Sequence, residues 1–284
     1  MNDFISKENL NKIYYNRTDK LQHRLNAWEK YGTNKVKFFD WVISQFPQNN
    51  KYYNILDIGC GTGKLLFLLN KKYKESNFYG IDISPAMVKA SKEVVSKKNR
   101  KNLIEADIKN LPFVSNYFEI VTATHVLYHV PNIKNAVKEM NRVLKPNGIL
   151  FVTTTDYDLD QGLNKIHYQA LKKLGFPKFM QDKKSYLRFT PKLALRVLNN
   201  YFPKVKICKF RNDLVYKKAE LCLEYYCTAM MYRNSKGIND KRISAKMWIA
   251  LEKENKNKIA EEINKKGKLL IKGRVFGFRV KKIL

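Results

Sequence analysis

Three glycines at alternating positions, Gly59, Gly61 and Gly63, follow an acid in the run Ile55-Leu56-Asp57-Ile58-Gly59-Cys60-Gly61-Thr62-Gly63. The residues before the glycines, Tyr53 to Ile58, are apolar and β-rich, and a helical pattern runs from Lys64 to Tyr73. A strand, a tight turn and a helix put glycine where positive φ and close backbone approach carry no Cβ penalty. Such a turn lets a ligand lie directly on the backbone at the carboxyl end of a parallel strand. The spacing is G-x-G-x-G rather than the G-x-G-x-x-G of dinucleotide sites. A second acid, Asp82, ends the short run Phe78-Tyr79-Gly80-Ile81-Asp82, 19 residues after Gly63. An acid at that strand tip holds a ribose diol through two charge-assisted hydrogen bonds. Further on, His125 is a candidate base for an oxygen acceptor, whereas His129 reads as a structural histidine.

The elements that position these residues alternate strand and helix. Ile104 to Ile108 ends a third strand and Leu111-Pro112-Phe113 follows it. Phe118 to Ala123 reads as a fourth strand, leading into Thr124-His125-Val126-Leu127-Tyr128-His129-Val130-Pro131. A helix to Leu144, the turn Lys145-Pro146-Asn147-Gly148 and a fifth strand, Ile149 to Thr154, complete the pattern. Alternating strands and helices specify a parallel sheet with helices on both faces.

With Asp57 two positions before Gly59, the glycine run resembles motif I of the class I, Rossmann-like, S-adenosylmethionine (SAM)-dependent methyltransferases. All five blocks match that family in order and spacing over residues 52–155, and the H-V-L-Y-H-V-P segment resembles the branch containing ubiquinone and small-molecule methyltransferases. The resemblance implies an α/β fold: a doubly wound, seven-stranded, mostly parallel sheet whose last strand is antiparallel. It implies SAM as cofactor, S-adenosylhomocysteine as product, and no metal. Carried over position by position, Gly59, Gly61 and Gly63 receive the methionine part, and Asp57 orders the turn and reaches the amino group. Asp82 takes the ribose hydroxyls, Asp107 the adenine amino group, and Ile108 and Ile83 flank the ring. Thr124 and His125 face the sulfonium and the acceptor. The segment before the first strand folds across SAM in related enzymes; Tyr14, Tyr15, Arg24 and Trp28 are its candidates here, with Arg24 paired to the methionine carboxylate.

On this reading residues 1–50 are an N-terminal helical lid, 51–155 the SAM-binding core, 156–200 a helical cap over the acceptor, and 201–284 the closing strands and C-terminal helices of the same domain. Leu21, Leu25 and Trp28 recur at helical spacing, and Lys35 to Phe46 gives a second amphipathic helix. Thr190-Pro191 suits the start of a helix to Asn200. Lys204 to Tyr216, broken near Asn212-Asp213, and Lys268 to Val280 read as the last two strands. Ala219–Met231 and Ile243–Lys265 read as helices, the second with a solvated, charged face.

The chain has 284 residues, 44% of them hydrophobic, which fits one globular unit. The longest apolar stretches are only a few residues long and the start lacks an apolar signal segment, so a cytoplasmic protein without a membrane span is expected. Cys60, Cys208, Cys222 and Cys227 fit no zinc or redox spacing and are expected to be free thiols. The net charge is +30, from 55 basic and 25 acidic residues. Residues 1–150 contribute +11 and residues 151–284 contribute +19, so the excess concentrates outside the cofactor core. Such a field favours an anionic acceptor, RNA first and ribosomal RNA among the candidates. The alternative is a small-molecule acceptor, a secondary metabolite or a quinone-like compound. The N/D-P-P-Y motif of exocyclic amino methyltransferases is absent; Ala123-Thr124-His125-Val126 stands at that strand tip. Tyr157, Tyr168, Phe176, Phe179, Tyr186 and Phe189 are candidate base-stacking residues, and Lys183-Lys184 a candidate docking pair.

Overall fold

The computed structural model describes residues 18–49, 51–156, 162–181, 189–229 and 240–283. Tyr14, Tyr15, Tyr157, Tyr186, Lys183 and Lys184 lie outside the described residues. The elements, in chain order, begin with helices α1 (Asp19–Lys30) and α2 (Phe38–Ile43). Next come β1 (Asn54–Ile58), α3 (Lys64–Lys72), β2 (Asn77–Asp82) and α4 (Pro85–Val94). Strands β3 (Leu103–Glu105) and β4 (Phe118–Thr124) follow, then α5 (Ile133–Val143) and β5 (Leu144–Thr155). After these are α6 (Gly162–Lys173), α7 (Pro191–Asn199), β6 (Val205–Arg211) and β7 (Leu214–Tyr216). The last elements are α8 (Ala219–Thr228), α9 (Ala245–Lys266), β8 (Leu269–Ile271) and β9 (Arg274–Lys281).

Seven strands form one sheet in the order β3-β2-β1-β4-β5-β9-β6. The pairs β2–β3, β1–β2, β1–β4 and β4–β5 are parallel, and β9 runs antiparallel to both its neighbours. The doubly wound sheet with an antiparallel final strand is therefore as expected. Strand β1 is buried at every position, as a central strand covered on both faces must be. From β1 the chain winds outward to β2 and β3, then returns to β4 on the other side. Ligands bind at such a switch point, beyond the carboxyl ends of β1 and β4.

The expected run Lys268 to Val280 is not one strand. Chain pairing breaks at Lys272-Gly273, leaving β8 to pair with β7 in a separate two-stranded ribbon. The expected break at Asn212-Asp213 is the other side of the same junction. Gly273 N donates to Asp213 Oδ1 at 3.0 Å, and Asn212 N donates to Gly273 O at 2.9 Å. Asn212 Nδ2 also donates to Trp28 O, at 3.2 Å, so the junction grips α1.

Two of the cores lie over the sheet, and a third is separate. The third joins Ala27 of α1, Leu163 and Leu171 of α6, Tyr226 of α8, Leu251 and Ile259 of α9, and the β7–β8 ribbon. Helix α9 has the expected charged, solvated face and a buried face opposite it. Leu251, Asn255, Ile259 and Ile263 recur every fourth residue and are buried, while its lysines and glutamates take the other face. By contrast α7, grouped with the cap from the sequence, buries Ala194, Val197 and Leu198 against the sheet. Its start has the expected Thr190 cap, with Leu193 N donating to Oγ1 at 3.3 Å and Pro191 in the first turn. No described helix is long and apolar enough to cross a membrane.

A Cβ on Gly273 would lie 1.9 Å from Asn212 O and 2.5 Å from Trp28 Cζ3. Because the first contact is backbone, Gly273→Ala is expected to cost about 2–3 kcal/mol, read as a lowered midpoint in denaturant unfolding. An unchanged midpoint would contradict the close packing assigned to this junction.

Candidate cofactor and acceptor site

The glycine turn has the strained backbone that its sequence demands. Gly59, Gly61 and Gly63 have φ of 69°, 54° and 78°, values that cost an L-residue with a side chain. A Cβ at Gly59 would also come within 2.6 Å of Val126 Cγ2, and one at Gly63 within 2.9 Å of Val94 Cγ2. Gly59 N and Cys60 N both donate to Ile81 O, at 2.8 and 2.9 Å, tying the turn to the end of β2.

Asp82, at the tip of β2, completes the turn. Its Oδ2 accepts from Gly61 N at 3.0 Å, and its Oδ1 accepts from Ser84 N at 2.9 Å. Ser84 in turn caps α4, where Pro85 occupies the first turn. Burial pushes the Asp82 carboxyl above its ordinary range, partly opposed by backbone donors. Asp57, 1% exposed in the middle of the sheet, accepts from Thr122 Oγ1 at 2.6 Å. Burial pushes its pKa up to about 7, against the pull of Thr122 and with a further push from Asp82. No lysine or arginine among the described residues offsets either acid. A buried carboxylate, Asp57, beside the half-buried Asp82 suits a ligand that brings its own cation and hydroxyl donors. An amino acid ammonium, a sulfonium and a ribose meet that description, so the residues fit SAM.

Asp107 and Ile108 follow β3 and line the same cavity as Ile83, Asp57 and Asp82. Ile108 is 8% exposed, a flat apolar wall suited to a ring. Asp107 is engaged locally: Oδ1 accepts from Lys109 N at 2.9 Å, and Oδ2 lies 3.4 Å from Lys109 Nζ.

Thr124 ends β4, and His125 beyond it adopts φ of 54°, unusual for a residue with a side chain. His125 N donates to Thr153 Oγ1 at 3.1 Å, and its Nδ1 is 3.5 Å from Thr155 Oγ1. The Phe38 ring of α2 packs on the imidazole at 5.0 Å between centroids. Burial, with the nearby Arg24 charge, lowers the His125 pKa to about 4. The ring is therefore neutral at physiological pH. His129 is in the short 3-10 turn Leu127–His129, its ring 4.5 Å from that of Tyr128. Arg24 also lines the cavity, with Nη1 donating to Thr228 O at the end of α8, 2.8 Å away.

All the expected site residues among the described ones line this cavity except Gly63, whose role is to turn the chain into α3. The cavity measures about 1560 Å³. Its far wall went unnoticed in the sequence: Phe210 of β6, Tyr225 of α8, and the charged ends of α6, α9 and β8. The four-residue apolar spacing in α9 was the available signal. Among the described residues no group of three or more His, Cys, Asp or Glu is placed to hold a metal ion.

Cation binding requires Asp57 as carboxylate, and protons compete with the ligand below its pKa. SAM affinity is thus expected to fall as pH drops below about 7, by at most about tenfold per unit, and Asp57→Asn should flatten the calorimetric profile. Asp82→Asn keeps an acceptor for Gly61 N but removes the charge. It should weaken SAM binding at least about tenfold with the circular dichroism spectrum retained; unchanged affinity would overturn the ribose assignment.

Comparison with known proteins agrees with this geometry. Residues 56–152 match the methyltransferase domain family. Demethylmenaquinone methyltransferase of Staphylococcus aureus is 33% identical over 153 residues, 53% of this chain and 61% of that protein. The chain thus spans about three-fifths of the length of this curated relative. Among solved structures, phosphoethanolamine N-methyltransferase 2 of Haemonchus contortus aligns with a TM-score of 0.59 at 13% identity, covering 98% of this chain and 60% of that one. The cyclase SpnF aligns with a TM-score of 0.55 at 16% identity, covering 98% of each chain. These two likenesses speak for the fold alone. Sheet order and glycine turn fit the class I, Rossmann-like, SAM-dependent methyltransferase fold, and residues 56–152 carry a methyltransferase domain.

Proposed function

We propose that this protein transfers a methyl group from SAM to a small, aromatic or quinone-like acceptor. The observation that carries this reading is the cavity. At about 1560 Å³ it exceeds the roughly 300–1,000 Å³ of a single-ligand pocket, so it has room for a cofactor and a second molecule. Beyond the glycine turn its wall includes Phe38, Tyr128, Phe210, Trp28 and Tyr225, which suit a flat apolar ring. The related Staphylococcus aureus protein is named for a quinone substrate. The preference for RNA rested on net charge; neither the fold nor the matched relatives add support for it, and they favour the small-molecule alternative.

SAM, when bound, supplies a methyl group already activated on a sulfonium, so the chain's work is to bind, align and exclude water. Asp57 and Asp82 hold the cationic and hydroxyl parts. Helices α1 and α2 cover the turn; Leu21 of α1 comes to the edge of Gly61, where a Cβ would meet it at 3.4 Å. His125, kept neutral by burial, is a poor store for a proton but a good hydrogen-bonding partner. Its proposed role is to orient the acceptor's hydroxyl rather than to titrate. An acceptor that gives up its proton easily, such as a phenol, suits that arrangement.

The test is methyl transfer from radiolabelled SAM to a small-molecule extract and, separately, to total RNA and ribosomal subunits. Label is expected in the organic-extractable fraction. Label confined to RNA and released by ribonuclease would reverse the choice of acceptor.

A further inference from the structure

The small-molecule reading leaves the basic excess of the second half unexplained. Part of it lies inside the cavity wall. Where the third core closes the cavity, α6, α9 and β8 meet; a Cβ on Gly162 would lie 3.4 Å from Leu270 O. The wall there carries Lys165, Lys258, Lys266, Lys268, Lys272 and Arg274 against Asp156, Glu261 and Glu262. Among the described residues of this wall, six cations face three acids. Each acid already has a partner: Lys258 to Glu261 at 2.7 Å, Lys266 to Glu262, and Arg274 to Asp156 at 3.9 Å. Lys165 and Lys268 are exposed at the rim. The field is felt at Glu262, whose carboxyl is held low by Lys266 first and by Lys265 and Lys165 beyond it.

From this placement we infer that the acceptor carries an anionic group, phosphate or carboxylate, which Lys165 of α6 and Lys268, next to β8, bind while its ring lies toward His125. Lys165 and Lys268 come from segments about a hundred residues apart in the chain and line the same cavity as His125, so a compact anion there meets more than one cation. Exposed lysines on one helix face would only solvate it. The reach of the cavity from the glycine turn to this rim allows one molecule to present a ring at one end and a charge at the other. An acceptor of this kind also uses the charge that the sequence alone attributed to RNA.

This inference rests on the small-molecule reading, and its test separates the two. Octyl phosphate, octanol and a short single-stranded RNA are titrated calorimetrically into the full chain saturated with S-adenosylhomocysteine, at about 150 mM salt to screen remote charges. Octyl phosphate is expected to bind about tenfold or more tightly than octanol. The double variant Lys165→Glu/Lys268→Glu should remove that preference. Lys98→Glu/Lys101→Glu, with the same change in net charge outside the cavity wall, should keep it. Equal binding of octyl phosphate and octanol by the native chain would overturn the anionic subsite and leave the small-molecule reading standing. A preference that survives Lys165→Glu/Lys268→Glu, or is lost equally in both double variants, would also overturn the subsite. RNA binding without binding of either octyl compound would overturn both readings.

Discussion

Two neighbouring carboxylates, Asp57 fully buried and Asp82 half-buried, without a cation beside them are the constraint from which the site follows. Asp57 and Asp82 sit at the ends and middle of neighbouring parallel strands, each held by donors that leave its charge uncompensated. Burying a carboxylate in this way is unfavourable unless something repays the desolvation. The pKa of Asp57, raised to about 7, is the signature of that cost. A ligand that brings a cation and hydroxyl donors relieves it. The glycines belong to the same device, because the positive φ at Gly59, Gly61 and Gly63 shapes the turn that lets Asp82 reach Gly61 N.

The rest of the architecture makes a second space beside the first. The sheet places β1 and β4 side by side with their carboxyl ends at the switch point. The third core then builds a wall opposite, from helices early and late in the chain. The Asn212–Gly273 junction joins these parts: it breaks what would be continuous strands, starts the β7–β8 ribbon and holds Trp28. The result is one cavity with Asp57 and Asp82 at the cofactor end and Lys165 and Lys268 on the opposite wall.

Legibility in the sequence followed the range of the interactions. The turn at Gly59–Gly63, the acid of Asp82 and the cap of α7 are set by neighbours within a few residues, and backbone chemistry wrote them into local pattern. The doubly wound, mostly parallel sheet was legible because strands and helices alternate along the chain. What could not be read depends on distant contacts. Lys268 to Val280 is a single β-like run in composition; only the approach of Asn212 and Trp28 to Gly273 divides it. The charged face of helix α9 was legible, but the partners of its stripe Leu251, Ile259 and Ile263 come from distant helices. The neutrality of His125 likewise comes from Phe38, Thr155 and Arg24, which lie far from it in sequence. The net charge was correctly counted but carried no address.

The central claim is that the Gly59–Gly63 turn and its two acids form the cofactor site. The most direct measurement is a crystal structure of the protein grown with S-adenosylhomocysteine. The account predicts ligand density along the turn, with the ribose against Asp82 and the amino group toward Asp57. Density elsewhere on the molecule, or an unchanged turn at saturating ligand, would contradict it.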